Sequence, residues 1–284
     1  VSLRTSQITM LDLSRCGLGP ASMGHLADYL RNATAAVARI SVLSNPIGVE
    51  GAAALIEVYE KNPQIRTLLG IEEGVTEVNF SEEIVDVGQT MVLAAELRAG
   101  RVTRDIVSIN CLANKFGEEG LSTLLASIKD TSVRSLCGLI EGQTVADFSG
   151  QNLGPIDCKI MAAEFAFQGF IALLTSCSVL SNPIGAEGAA ALIDVYEKNP
   201  KLLTLLGIEE GVTEVNFSEK KVDVGQCMVL AAELRAGRVT AVINSIVLDG
   251  CPLSGATKEY AHHKNFSQNI DSQMDGFVAL CAVL

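Results

Sequence analysis

The chain contains no tryptophan, and aromatic residues make up only 5% of its 284 residues although 48% are hydrophobic. Its core must therefore be built from Leu, Ile, Val and Ala, which suit a regular, layered stack better than an irregular enzyme core. Positive charge is also scarce. With 21 Lys and Arg against 33 Asp and Glu the formal charge is -12, which repels phosphate backbones and anionic headgroups. Nucleic acid is thereby set aside as a partner, although acidity alone does not identify a basic one. Histidine occurs three times, as His25, His262 and His263, with no ordered pattern of cysteine or carboxylate ligands around it, so no metal site is expected. The eight cysteines (16, 111, 137, 158, 177, 227, 251 and 281) include no C-x-x-C pair and are expected to be buried, reduced thiols acting as small apolar residues.

Other signals are missing as well. No segment reaches the length of a clean membrane span. The nearest, Phe165 to Leu180, contains Gln168, Gly169, Thr175 and Ser176. With no signal peptide, a cytoplasmic location is the expectation. The chain starts on Val1 and ends on the apolar run Phe277 to Leu284, so it reads as an excerpt of a longer polypeptide and missing targeting signals weigh little. N-x-S/T triplets begin at Asn32, Asn79, Asn216 and Asn265, two of them inside expected strands where a glycan would interfere with packing. Gly-rich phosphate loops, H-E-x-x-H, nucleophile elbows and paired-carboxylate constellations are absent. The expectation is a non-enzyme, with no catalytic residue and no small-molecule cofactor.

What the sequence does contain is repetition. Ser41 to Thr103 recurs at Ser178 to Thr240 with eight differences, and Leu112 to Thr144 matches the same pattern more loosely. The resulting modules, about 68 residues each, run 8–74, 75–142, 143–211 and 212–284 within a single solenoid expected over 1–284. Each divides into units spaced L-x-x-L-x-L-x-x-N/C-x-L. Ile8, Leu11, Leu13, Cys16 and Leu18 fit it, as do Val37, Ile40, Val42, Asn45 and Ile47, then Ile106, Ile109, Cys111, Asn114 and Phe116, and finally Ile243, Ile246, Leu248, Cys251 and Leu253. At the ninth position Asn supplies donors and an acceptor to backbone groups inside the coil. Helices follow, with one inward face carried by Gly51, Leu55 and Tyr59, by Gly120, Leu124 and Ile128, and by Gly188, Leu192 and Tyr196. Asn-Pro pairs at 62–63 and 199–200 end two of them.

This pattern resembles the ribonuclease-inhibitor class of leucine-rich repeats, which also occurs in NOD-like receptors, over nearly all of residues 8 to 255. The resemblance implies an α/β fold: a right-handed βα solenoid, or horseshoe, with a parallel sheet on its concave face and helices on its convex face. It also implies a protein–protein interaction scaffold, either capturing a partner on the concave face or rim or serving as a structural subunit of a larger assembly. The alternative with precedent on this architecture is a GTPase-activating protein of the Ran-activator type. Arg15 and Arg39 lie near the relevant strand ends, but that family's motif does not map onto this chain residue by residue.

One feature departs from the resemblance. Ile65 to Ile71 reads as a strand, yet Val75 to Phe80 begins about ten residues later, too soon for a crossover helix. The event recurs at 133–148 and 202–217, with Gly74, Gly142 and Gly211 at the turns. A hairpin or a helix-free half-coil is expected, or a mere structural insertion. Strand positions pointing to the concave side give Leu43, Leu69, Ile71, Leu112, Leu139, Leu180, Leu206 and Ile208 as partner-contacting candidates, because a contiguous exposed aliphatic patch marks an interaction surface. Neighbouring loops covering them is the competing reading. The Glu72-Glu73 and Glu209-Glu210 turns either steer a basic partner or serve solubility. The irregular stretch Lys258 to Asp275, with His262-His263, reads as an insertion loop or a low-stability cap.

Overall fold

A computed structural model describes residues 8–31, 37–84, 86–167, 173–257 and 268–284. The chain forms two compact units, Val1–Gly138 and Leu139–Leu284. Strands and helices alternate, and every strand is three residues long. The first unit holds β1 (Met10–Asp12), α1 (Pro20–Arg31), β2 (Arg39–Ser41), α2 (Gly48–Lys61), β3 (Glu77–Asn79), α3 (Val87–Ala99), β4 (Ser108–Asn110) and α4 (Gly117–Ser127). The second holds β5 (Val145–Asp147), α5 (Pro155–Phe167), β6 (Ser176–Ser178), α6 (Gly185–Lys198), β7 (Glu214–Asn216), α7 (Val224–Ala236), β8 (Ser245–Val247) and α8 (Asp275–Cys281). Strands pair in parallel as β1-β2, β3-β4, β5-β6 and β7-β8. In each unit consecutive helices pack on one another. This is a tandem βα-repeat architecture.

The short strands follow from the repeat spacing. Val37, Ile40, Val42, Asn45 and Ile47 are all buried, the last four completely. They form the inner wall of one coil. The same pattern at β1 is looser, with Ile8 44% exposed; β1 pairs with β2 alone, whereas β2 also bridges to Thr67 and Leu69 on its other side. Asn45 does what its position demands. Its Oδ1 accepts from the backbone N–H of Cys16 (3.0 Å) and Leu18 (2.9 Å), and its Nδ2 faces the carbonyls of Leu13, Val42 and Leu43 at 2.8 to 3.1 Å. Asn114 and Asn182 repeat the arrangement against Ile84 and Phe80, and against Leu153 and Phe148. In the last copy the Cys251 thiol takes over, donating to the Phe217 carbonyl at 3.1 Å. The expectation of buried cysteines holds for Cys111, Cys137, Cys158, Cys177 and Cys227. Cys16 and Cys281 are exposed and Cys251 is half-buried.

Helices α2 and α6 bury the face read from the sequence, including Gly51, Leu55 and Tyr59 and their copies Gly188, Leu192 and Tyr196. Asn62 and Asn199 close them in extended conformation, as a following Pro requires. Helices α3 and α7 are different. Nine of the thirteen residues of α3 are buried, on all sides of the helix, which packs against α2 and α4. Contact with α2 is backbone-close: a Cβ at Gly88 would sit 2.3 Å from the Gly48 carbonyl oxygen. Asp86 caps both helices, accepting from Gly48 N (2.7 Å) and Gln89 N (2.9 Å). Asp223 does the same for α6 and α7, and burial raises its pKa.

The helix-free step is present. Residues 70–76 and 207–213 contain no helix, and Gly74, Gly142 and Gly211 turn with φ of 81°, 83° and 83°. It is a half-coil and not a hairpin, since β3 and β7 pair forward with β4 and β8. The segment before it is also shorter than a strand, joining β2 through single bridges at Thr67 and Leu69. A buried carboxylate from α3 secures it. Glu96, fully buried, accepts from the backbone N–H of Leu68 and of Leu69 (3.0 Å) and from the Thr67 hydroxyl (2.9 Å). The Thr67 oxygen in turn accepts from Leu69 N and Ile71 N. Burial lifts the Glu96 pKa to about 7, while these donors and the charge of Arg101, which stacks on the Tyr59 ring at 4.0 Å, hold it back. Glu233 repeats the clamp on Thr204, Leu205 and Leu206, with its pKa also about 7 and Arg238 stacked on Tyr196.

Candidate functional site

The sheet side of each unit is where the repeat leaves side chains free of the helices. It is less aliphatic than the sequence implies. Of the eight partner-contacting candidates, Leu43 and Leu180 are half-buried. The other six are buried: Leu69 and Leu139 at 2% exposure, Ile71 at 5%, Leu112 at 0%, Leu206 at 2% and Ile208 at 6%. The expectation that these six stand exposed is corrected. For Leu69, Ile71, Leu206 and Ile208 the cause is local. Gly70 and Gly207 take positive φ (72° and 66°), a conformation open chiefly to glycine. The alternation of a flat strand is broken there, and the chain folds back over β2 and β6. A Cβ at Gly70 or Gly207 would lie 3.0 Å from that of Ser41 or Ser178. The backbone N–H groups of Ile71 and Ile208 then point at the Thr67 and Thr204 hydroxyls.

The strands also carry polar side chains on this side. Ser14 and Ser41 share a hydroxyl hydrogen bond of 2.7 Å, and Ser149 and Ser178 another of 2.7 Å. Asp12 and Asp147 accept from the Ser14 and Ser149 backbone N–H two residues on; the Ser14 backbone and then its hydroxyl lower the Asp12 pKa, and the Ser149 hydroxyl and then its backbone lower that of Asp147. Asn79 and Asn216, the two glycosylation triplets inside strands, are exposed and fold onto Ser81 and Ser218 in the same way. Asn32, Asn265 and the His262-His263 pair lie outside the described residues. So does most of the irregular stretch around that pair.

In the second unit the sheet side carries a groove of about 510 Å³. Leu180, Leu206 and Ile208 lie along it, joined by Val145, Ser176, Leu203 and Val239, and its acidic members are Asp147, Glu209 and Glu210. Val145 is 60% exposed. The sequence reading missed Val145, Ser176, Leu203 and Val239 because none of them occupies a repeat-defining position.

The first unit has the same backbone at this place but different chemistry. Arg39 there occupies the position of Ser176, as the bridges Arg39 to Thr67 and Ser176 to Thr204 show. Arg66 occupies that of Leu203, each donating its backbone N–H to the carbonyl of the equivalent residue, Ala38 or Thr175. Arg39 pairs with Glu72 at 3.0 Å, and Arg66 pairs with Glu73 at 3.0 Å and donates to the Arg101 carbonyl. Of the two arginines considered for GTPase activation, Arg39 is thus engaged with Glu72, and Arg15 pairs with Glu83 while its side chain stays 72% exposed.

Among the described residues no group of three or more His, Cys, Asp and Glu is placed to hold a metal ion, and no helix is long and apolar enough to cross a membrane. The chain matches no protein-family model and no curated protein.

Proposed function

We propose that this chain is a repeat scaffold of the leucine-rich type that binds a partner protein along the concave, sheet-lined side of a right-handed solenoid. The observation that carries this reading is the groove on the second unit. Its walls come from three successive repeats, fixed by the buried Asn182 and Glu233 networks, so side chains from distant parts of the sequence are presented on a rigid surface. Rigid presentation limits the ordering cost of association. The edge is polar and the floor aliphatic, the anatomy of a protein interface. A charge of -12 argues against nucleic acid as the partner. The arrangement serves capture of a partner and permanent assembly equally well.

Leu180→Glu places a charge in the groove, whereas Ala190→Glu alters an exposed position of α6 on the helix side. A partner recovered with the wild-type chain should be lost from the first variant and kept by the second. Retention by both would remove the sheet-side groove as the binding surface.

A further inference from the structure

The two units are natural variants of one surface, and two of the differences between them fall on one interaction. In the first unit the glutamates of the turn are neutralised internally, Glu72 by Arg39 and Glu73 by Arg66. The second unit keeps both glutamates, as Glu209 and Glu210, but has Ser176 and Leu203 where the arginines stood. Both glutamates are exposed, and neither has an ion-pair partner among the described residues. Ser176, Leu203, Glu209 and Glu210 all line the groove. Two long cationic side chains have been exchanged for a short hydroxyl and a shorter apolar one, so the space is left where the cations would lie.

We infer that the groove of the second unit accepts two arginine side chains from an extended segment of the partner protein, replacing the pair that the first unit supplies from its own chain. This rests on the partner-binding reading above and names the chemistry of the partner. Guanidinium is the group the first unit already seats on this backbone. It forms directional bonds to carboxylate and to carbonyl oxygen, as Arg66 does with Glu73 and the Arg101 carbonyl, and its stem packs on aliphatic walls. In the second unit Leu203 and Val239 provide such walls.

The test uses the full chain and two capped pentapeptides, Leu-Arg-Ala-Arg-Leu and the same peptide with citrulline in place of both arginines. Citrulline keeps shape and loses charge. Calorimetry should show one site for the arginine peptide and about two- to thirtyfold weaker binding of the citrulline peptide, from the loss of two exposed ion pairs. Binding should weaken as salt is raised. Glu209→Gln with Glu210→Gln should reproduce the loss, and Glu72→Gln with Glu73→Gln should leave affinity unchanged.

Two further variants exploit the duplication. Ser176→Arg with Leu203→Arg rebuilds the internal pairs and should abolish binding. Arg39→Ser with Arg66→Leu should free a second site and raise the stoichiometry to two. Equal affinity for both peptides would overturn the arginine inference while leaving a groove that binds through its aliphatic walls. Undiminished binding to the arginine-filled variant, or no saturable binding of the arginine peptide, would overturn it too. The Leu180→Glu comparison reports separately on the groove.

Discussion

Between pH 5 and pH 8 the first unit should lose stability as Glu96 gives up its proton. The carboxyl is buried with its pKa raised from 4.5 to about 7, so over this interval the folded chain binds a proton that the unfolded chain has released. A raised folded pKa contributes stability that is fully present below the unfolded value and is lost as pH rises through the folded one. The gap between 4.5 and about 7 corresponds to roughly 3 kcal/mol at the conversion of about 1.4 kcal/mol per pH unit. Asp12, Asp147 and Glu57 have lowered pKa values and act with the opposite sign. Asp223 is raised and acts with the same sign as Glu96, so a comparison with a variant is needed to isolate Glu96.

Glu96→Gln keeps the shape and removes the titration. Its amide oxygen can still accept from Leu68 and Leu69, but its NH2 meets a Thr67 oxygen that already accepts from Leu69 N and Ile71 N. The loss at low pH should be about 1 kcal/mol, the worth of one hydrogen bond. Urea unfolding at fixed pH from 5 to 8 should therefore show wild type more stable at the acid end, with the difference shrinking and reversing towards pH 8. The total swing should be about 3 kcal/mol. Glu233→Gln should behave alike in the second unit. Parallel stability curves for wild type and variant across this range would refute the reasoning, because they would mean that Glu96 has the same protonation in the folded and unfolded chain.

Other substitutions separate packing from backbone effects. Gly88→Ala should destabilise by several kcal/mol in thermal or urea unfolding, since its Cβ would overlap the Gly48 carbonyl 2.3 Å away, beyond the usual cost of overpacking. Gly24→Ala, in α1 with nothing within 4 Å of its Cβ, should instead stabilise by about 0.5–1 kcal/mol. Asn45→Ala orphans the buried N–H and carbonyl groups around it and should cost about 3 kcal/mol or more. Asn45→Cys should recover part of that, because Cys251 already bonds a carbonyl from the same repeat position.

How much of this was legible depended on whether the determining interaction leaves a periodic mark. Asn45, Asn114 and Asn182 do so, because an amide that bonds backbone must recur at one place in each coil. The helix-free step is visible as a spacing too short for a helix, with glycine at its turn. Helix α3 leaves no such mark. Buried on every side, it has no polar face to alternate with an apolar one, and Glu96 within it looks like any exposed helical glutamate. The burial of Leu69 and Ile71 was hidden for another reason. Strand alternation sends them outward, and the single positive-φ residue Gly70 reverses that. The groove itself depends on Arg66 becoming Leu203 and on Ser176 standing where Arg39 does. Their significance appears only once the glutamates they face are known.

Near-identity of the duplicated stretches also matters while the chain is folding. Helices α3 and α7 present the same Glu, Gln and Gly contacts, and the segments 67–71 and 204–208 are identical in sequence. An unfolded chain carrying both copies can therefore bring either glutamate to either segment with the same donors facing it. Such a mismatched closure is a trap of the kind repeat proteins fall into, and the longer loop it encloses disfavours it by only about 1–2 kcal/mol relative to the native one. Synthesis from the N-terminus avoids the competition by letting α3 find Thr67 before residue 204 exists. Order of emergence, which the folded molecule does not record, thus helps to decide between partners that local chemistry treats as equal.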